Sequence, residues 1–374
     1  MQPVPFVDLR RGYLAHREAI DRAVARVLET QSFVLGPAVE RLEREIAALV
    51  GCEHAVGVGS GTDALVLALL ALGIGPGDEV LTTPWSFFAT ASAIARTGAT
   101  PVFVDIDPAT FCLDVERAAQ LVRARARVRA VLPVHLYGRV PDLGPLLEAA
   151  RERGVAVVED AAQAIGASGP PGRAGAIGTL GCFSFYPTKN LGGAGDGGMV
   201  TTNDDALAER LRSLRWHGTE PPRSYHHTAL GLCSRLGGLS AAVLSAKLER
   251  FESAQAARRA HVEAYREAFA DLRWLVLPEL PEGHGLHQFT LRVLEGRRDA
   301  LREHLQARGI GCAVFYPLPL HRQPALAGRC VVPESGLAEA ERAAGEVLQL
   351  PIFPELTADE RGRVIDAVRA FDAG

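Results

Sequence analysis

A lysine and an aspartate 29 residues apart are the first pair in this sequence that could do chemistry together. Lys189 stands in Ser184-Phe185-Tyr186-Pro187-Thr188-Lys189-Asn190-Leu191, ahead of a glycine-rich run at 192–198. A primary amine can form a Schiff base with an aldehyde, and a guanidinium cannot. Composition singles this lysine out. Of 40 basic side chains, Lys189 and Lys247 are the two lysines and the other 38 are arginine. A GC-rich coding bias accounts for that trend, and by itself Lys189 could be a surface residue. Asp160 stands in Glu159-Asp160-Ala161-Ala162-Gln163, directly after an apolar run. A carboxylate there is desolvated unless it meets a cation, so it could face a protonated ring nitrogen. It could equally cap a helix.

Three further groups surround this pair. Gly59-Ser60-Gly61-Thr62-Asp63 precedes a helical stretch, where free N–H groups and the helix dipole can hold a phosphate. Alone, it also reads as an N-cap with glycines for a tight turn. Pro84-Trp85-Ser86-Phe87-Phe88 offers Phe87 as a face for ring stacking, while Phe88 reads as core. Downstream lie His217, Tyr225-His226-His227, Arg235 and Tyr316-Pro317-Leu318-Pro319-Leu320-His321, whose spacing forms no metal motif. A phosphate cradle, a stacking ring, a carboxylate for a pyridine nitrogen and a Schiff-base lysine, in that order, spell pyridoxal phosphate chemistry.

Such groups need a scaffold that brings loop ends together. From about residue 50 to 205 the pattern alternates strand, loop and helix. Strands are expected at 54–58, 79–82, 101–104, 129–134, 155–159, 182–186 and 198–202. Helices are expected at 63–72, 87–97, 114–122 and 141–153. Nearly all-apolar strands alternating with helices indicate parallel strands buried on both faces, and ligands bind at their carboxyl ends. The spacing further predicts one long helix over 239–270, a strand over 287–294, a helix over 297–308, a Pro-rich loop at 317–324 and two terminal helices. The expected division is a large α/β domain over 1–240, with an N-terminal helical segment about 1–35, and a smaller C-terminal α/β domain over 241–374.

Composition excludes other classes. A net charge of −4 with mixed signs leaves no electrostatic footprint for nucleic acid. With 48% hydrophobic and 22% charged residues the chain is globular, and no apolar run reaches membrane-helix length. Six scattered cysteines without a C-x-x-C pair read as reduced thiols, which makes a cytoplasmic location the expectation and a structural metal site unlikely on sequence grounds.

The chain resembles the DegT/StrS family of sugar aminotransferases, of the aspartate-aminotransferase fold (PLP fold type I). The likeness runs through Val4-Pro5-Phe6-Val7-Asp8-Leu9, Ser60-Gly61-Thr62-Asp63-Ala64-Leu65, Gly75-Pro76-Gly77-Asp78-Glu79-Val80, Pro133-Val134-His135-Leu136-Tyr137-Gly138, Glu159-Asp160-Ala161-Ala162-Gln163 and Phe183 to Leu191. The resemblance implies pyridoxal 5'-phosphate as cofactor and Lys189 as the Schiff-base lysine and proton carrier. It implies Asp160 at the pyridinium nitrogen, Gln163 near the ring 3-hydroxyl and Phe87 stacked on the ring. It also implies Gly61, Thr62 and Ser184 at the phosphate. It further implies a homodimer in which a segment matching Gly231 to Leu236, with Arg235, reaches the neighbouring subunit's phosphate. That segment departs from the family's usual Asn-x-Arg-Leu-Asp-x-Leu-Gln, because it reads Cys233-Ser234-Arg235-Leu236-Gly237-Gly238-Leu239-Ser240. A thiol is a weak donor, so the contact would rest on Arg235.

For the substrate, the resemblance implies a nucleotide-linked keto sugar, aminated at C3, in amino-sugar biosynthesis for a polysaccharide or antibiotic. His217, His227, Tyr316 and His321 would contact it, and glutamate would donate the amino group. A 4-keto sugar is the alternative. A sugar dehydratase on the same fold is another, but its relatives carry histidine at the lysine position. An inactive regulatory homologue is a third.

Overall fold

The computed structural model describes residues 2–221 and 224–372. Two N-terminal helices, α1 (Leu9–Thr30) and α2 (Pro37–Val50), lead into an alternating α/β unit. Its elements are β1 (His54–Val58), α3 (Gly61–Ala71), β2 (Glu79–Thr82), α4 (Ala89–Arg96), β3 (Thr100–Phe103), α5 (Val115–Ala124), β4 (Val128–Leu132), α6 (Gly144–Arg153) and β5 (Ala156–Asp160). A two-residue hairpin follows, β6 (Ser168–Gly169) and β7 (Gly172–Arg173), then β8 (Leu180–Ser184), β9 (Gly198–Thr202) and α7 (Asp205–Leu214).

Seven strands form one sheet in the order β1-β9-β8-β5-β4-β2-β3. The run from β8 to β3 is parallel, as the apolar strand texture predicts. The exception is β9, antiparallel to both β1 and β8. The glycine-rich loop between β8 and β9 is short enough to turn the chain straight back, so no crossover helix intervenes. Expected strand and helix ranges hold to within a few residues. The helix expected from Phe87 begins at Ala89, which leaves Phe87 on the loop above the sheet.

After the large sheet come α8 (Gly238–Leu248), α9 (Phe251–Ala268), β10 (Leu275–Val276), β11 (Phe289–Val293), α10 (Arg298–Ala307), α11 (Ala338–Glu346), β12 (Val347–Leu350) and α12 (Ala358–Asp372). The single helix expected over 239–270 is therefore two. Arg250 leaves the helical region at φ −117°, and the two halves bury different faces. Ala241 and Leu244 of α8 share a core with Leu42 and Ile46 of α2, whereas Val262 and Tyr265 of α9 pack with Phe289 and Leu291. No glycine or proline marks the break, so periodicity alone runs through it. Strand β12 was equally hidden. It follows α11 without a punctuating residue and completes the small antiparallel sheet β10-β11-β12. Among the described residues, no helix is long and apolar enough to cross a membrane.

Candidate active site

The parallel strands β5 and β8 end side by side, with Asp160 as the last residue of one and Ser184 as the last of the other. Asp160 is buried, and burial raises its carboxyl pKa. Two donors offset that cost. Thr90 Oγ1 donates to Oδ2 at 2.7 Å and the Ala162 N–H to Oδ1 at 3.2 Å. Thr90 in turn shares a hydrogen bond of 2.8 Å with the Ser86 hydroxyl.

Glu159 and Asp160 alternate across the strand, and Glu159 is fully buried on the other side. Its carboxylate accepts N–H groups from Gly175, Ile177 and Gly178 at 2.7 to 2.8 Å. It also meets His135 Nε2 at 2.7 Å. A carboxylate so saturated holds the loop after β7 in place and has no spare capacity for a ligand. Of two adjacent carboxylates, only Asp160 is available for chemistry.

Lys189 sits on the loop after β8. Among the described residues its side chain finds no hydrogen-bond partner. Desolvation lowers its pKa to about 8, against an opposing pull from Asp160. A free amine with lowered pKa beside a buried carboxylate is what an amine–carbonyl exchange requires. On the same side lies His287, whose pKa burial and the Lys189 charge hold well below normal. Its Nδ1 meets Asn190 Oδ1 at 3.1 Å, which ties the Lys189 loop to the segment before β11.

The phosphate cradle is formed by the start of α3. Ser60 is the N-cap, accepting the Asp63 N–H at 3.0 Å. The N–H groups of Gly61 and Thr62 precede any helical acceptor and remain free for an anion. A Cβ on Gly61 would lie 2.6 Å from Ser184 Cβ. Glycine is therefore what lets the helix start approach the end of β8. These features fit a phosphorylated pyridine aldehyde: an open helix N-terminus with a hydroxyl beside it, a buried carboxylate and a free amine.

Aromatic and amide groups close the site's other wall. The Phe87 ring is 58% exposed and its centroid lies 6.3 Å from that of Tyr316. Gln163 Nε2 donates to the Tyr316 hydroxyl at 3.1 Å, and its Oε1 accepts the Tyr137 N–H at 2.8 Å. Tyr137 adopts φ +58°, and its hydroxyl, which donates to the Phe315 carbonyl, accepts Trp85 Nε1–H at 3.1 Å. Thus Gly61, Thr62, Ser184, Asp160, Lys189, Gln163, Phe87 and Tyr316 gather at one end of the sheet.

The other expected residues stand apart from this cluster. His217 and His227 are exposed and pair with each other, His227 Nδ1 meeting the His217 carbonyl at 2.9 Å. Arg235 lies over the Trp216 ring at 4.2 Å and donates to Cys233 Sγ. His321 is held by Glu341 at 3.0 Å and packs edge-on to Phe103. Sequence reasoning missed Thr90, Tyr137 and the Glu159–His135 pair. Thr90 carries no signal at all, being one polar residue inside a helical pattern. Tyr137 and His135 lie in a motif that the family resemblance quotes without a role.

A sequence profile of the DegT/DnrJ/EryC1/StrS aminotransferase family matches residues 15–369. A pleiotropic regulatory protein of Geobacillus stearothermophilus is 44% identical over 98% of both chains. The dTDP-3-amino-3,4,6-trideoxy-alpha-D-glucose transaminase of Streptomyces venezuelae is 46% identical, covering 98% of this chain and 96% of its own. The crystal structure of S. venezuelae DesV in complex with a ketimine intermediate superposes with a TM-score of 0.94, at 45% identity over 99% of both chains.

Proposed function

This chain belongs to the DegT/DnrJ/EryC1/StrS aminotransferase family of pyridoxal phosphate enzymes, and we propose that it transfers an amino group from glutamate to C3 of a nucleotide-linked keto sugar. The observation that carries this reading is the free, buried Lys189 amine beside the hydrogen-bonded carboxylate of Asp160. The transaminase named for a 3-amino sugar, 46% identical, supports C3.

When bound, the cofactor supplies an electrophilic carbon and an electron sink. The protein supplies the rest. Lys189 Nζ takes the α-proton of the amino donor and returns it on the other side, a role typically worth about 10²–10⁴-fold. Asp160, kept ionised by Thr90 and the Ala162 N–H, holds the ring nitrogen protonated. Gly61, Thr62 and Ser184 hold the phosphate, Phe87 covers the ring face and Gln163 faces the 3-hydroxyl. Residues 1–240 carry these contacts, and 241–374 bring Tyr316 over them.

Sugar recognition falls to Tyr316 at the site and to His217 and His227 on their exposed loop. His321, five residues beyond Tyr316 and locked to Glu341, steadies the loop that carries it. The enzyme acts as a homodimer, with Arg235 presented to the partner's phosphate. A regulatory role without catalysis would leave no reason for a lysine kept free of partners beside a buried aspartate.

The test is spectroscopic. The visible absorbance of the purified holoenzyme should bleach on adding glutamate and return on adding a nucleotide 3-keto sugar, with NMR of the product locating the new amine. Absence of bleaching with any amino acid would overturn the transamination reading. Recovery with 4-keto sugars alone would move the site of amination to C4.

A further inference from the structure

Arg258, on α9, carries a charge that the protein does not neutralise. Its side chain is 7% exposed. Of its five N–H donors, one makes a hydrogen bond, from Nη1 to the Ile352 carbonyl at 3.4 Å. Its Nε is buried without an acceptor. Among the described residues no carboxylate lies within ion-pair distance, and Glu355 attracts it only from farther off. Buried guanidinium groups are costly unless paired, and arginine is rarely buried without a partner.

Lys247 faces the same cleft, which runs beneath Thr188 and Lys189 and is walled by Phe353. It is half-buried and spends one of its three N–H donors on Gly192. Two cations thus face one carboxylate, Glu355, that pairs with neither. Asp8, at the rim, is already paired with Arg11 at 3.1 Å. The balance leaves one positive charge, which a monoanion cancels and a phosphate dianion would overshoot. A guanidinium fork matches a carboxylate in shape, with the ammonium as a second point charge.

We propose that Arg258 and Lys247 bind the carboxylate of a small organic acid in the cleft behind the Lys189 loop. The carboxylate has two possible sources: the amino donor itself, which rests on the transaminase reading, or a separate organic acid that occupies the cleft beside the reaction.

Butyrate, with butyramide as neutral control, is the probe. Titrated calorimetrically into the holoenzyme, butyrate should bind saturably and butyramide should not. Arg258→Gln should weaken butyrate at least about tenfold, a loss of about 1.4 kcal/mol, and Lys247→Met should weaken it less. Arg258→Lys, which keeps the charge, should restore part of the affinity, and Glu355→Gln should tighten it by removing the competing carboxylate. No saturable binding, or equal affinity in wild type and Arg258→Gln, would overturn the proposal. Kinetics separate the sources. Competitive inhibition by butyrate against glutamate assigns the carboxylate to the donor, and non-competitive behaviour assigns it to a separate acid. Because butyrate binding is read by heat, it stands even if glutamate fails to bleach the cofactor.

Discussion

The chain's second lysine, Lys247, donates its ammonium to the carbonyl of Gly192 at 2.6 Å, three residues past Lys189. Composition alone leaves two lysines to choose between, with Lys247 read as a surface or packing residue. In the fold Lys247 holds the loop that carries Lys189. Lys247→Met should strand that carbonyl and cost about 1–3 kcal/mol of stability, measurable by denaturant unfolding. Lys247→Arg, which keeps a cationic donor, should retain the reaction with glutamate. Lys189→Ala should abolish that reaction while leaving the unfolding midpoint close to wild type. Loss of the glutamate reaction in Lys247→Arg would reassign the reactive amine.

The acidity of Lys189 sets a pH dependence. Desolvation stabilises the neutral amine and brings its pKa from 10.5 to about 8. Only the neutral amine attacks an aldehyde. Below pH 8 the reactive fraction falls about tenfold per pH unit, since it follows the protonation equilibrium. Reloading of the apoprotein with pyridoxal phosphate should therefore speed up as pH rises towards 8 and level off above it. Stopped-flow absorbance reads this directly. A rate still climbing steeply at pH 10 would mean that the lysine is not desolvated as described.

Thr90 governs the other member of the pair. Its hydroxyl donates to Asp160 Oδ2 at 2.7 Å and so favours the ionised carboxylate, while burial opposes it. Removing the donor raises the Asp160 pKa further. As pH falls, Thr90→Val should therefore lose activity earlier than wild type, with the acid limb of kcat shifted upwards. A hydrogen bond to a charged group is worth about 1.5–3 kcal/mol, so the shift should reach about one pH unit. Thr90→Ser should restore the wild-type limb. An unchanged profile in Thr90→Val would show that Asp160 does not depend on this donor.

The legible part of this protein was whatever repeats locally or punctuates. Alternating apolar strands revealed the parallel sheet, and Gly, Asp and Lys at strand ends revealed the site. What stayed hidden depends on direction in space. Glu159 and Asp160 look alike as residues, and only the strand's alternation assigns one to four buried donors and the other to the site. Thr90 reaches Asp160 across 70 positions of sequence. The break at Arg250 has no local cause, because it reflects which core each half of the helix joins. His321 had the right motif, yet Glu341, 20 residues on, claims its imidazole.

Arg235 tests the dimer. Within one chain its guanidinium rests on the Trp216 ring at 4.2 Å, a contact that orients it without consuming its charge. If it serves the neighbouring subunit's phosphate, Arg235→Ala should weaken cofactor retention, and Arg235→Lys should recover part of it. Dialysis against cofactor-free buffer, followed by absorbance, gives the result. Pyridoxal phosphate retention equal to wild type in Arg235→Ala would show that no trans contact forms.

Gly61 and Ser184 test the phosphate cradle from within. A Cβ at Gly61 would lie 2.6 Å from Ser184 Cβ and 3.1 Å from its Cα, closer than side chains approach. Gly61→Ala must therefore push the start of α3 away from the end of β8. Overpacking of this kind costs about 1–3 kcal/mol, and the displaced N–H groups of residues 61 and 62 no longer converge with the Ser184 hydroxyl. Cofactor affinity should fall at least about tenfold, which is about 1.4 kcal/mol. Ser184→Gly removes the Cβ that clashes, and with it the hydroxyl. The double variant should regain stability, because the clash is relieved, without regaining cofactor affinity, because the hydroxyl is gone. Thermal unfolding of the apoprotein reads the first quantity and spectroscopic titration reads the second. Such coupled sites are expected to be non-additive. If the two single variants added simply in both measurements, the close approach of α3 to β8 would not be what builds the cradle.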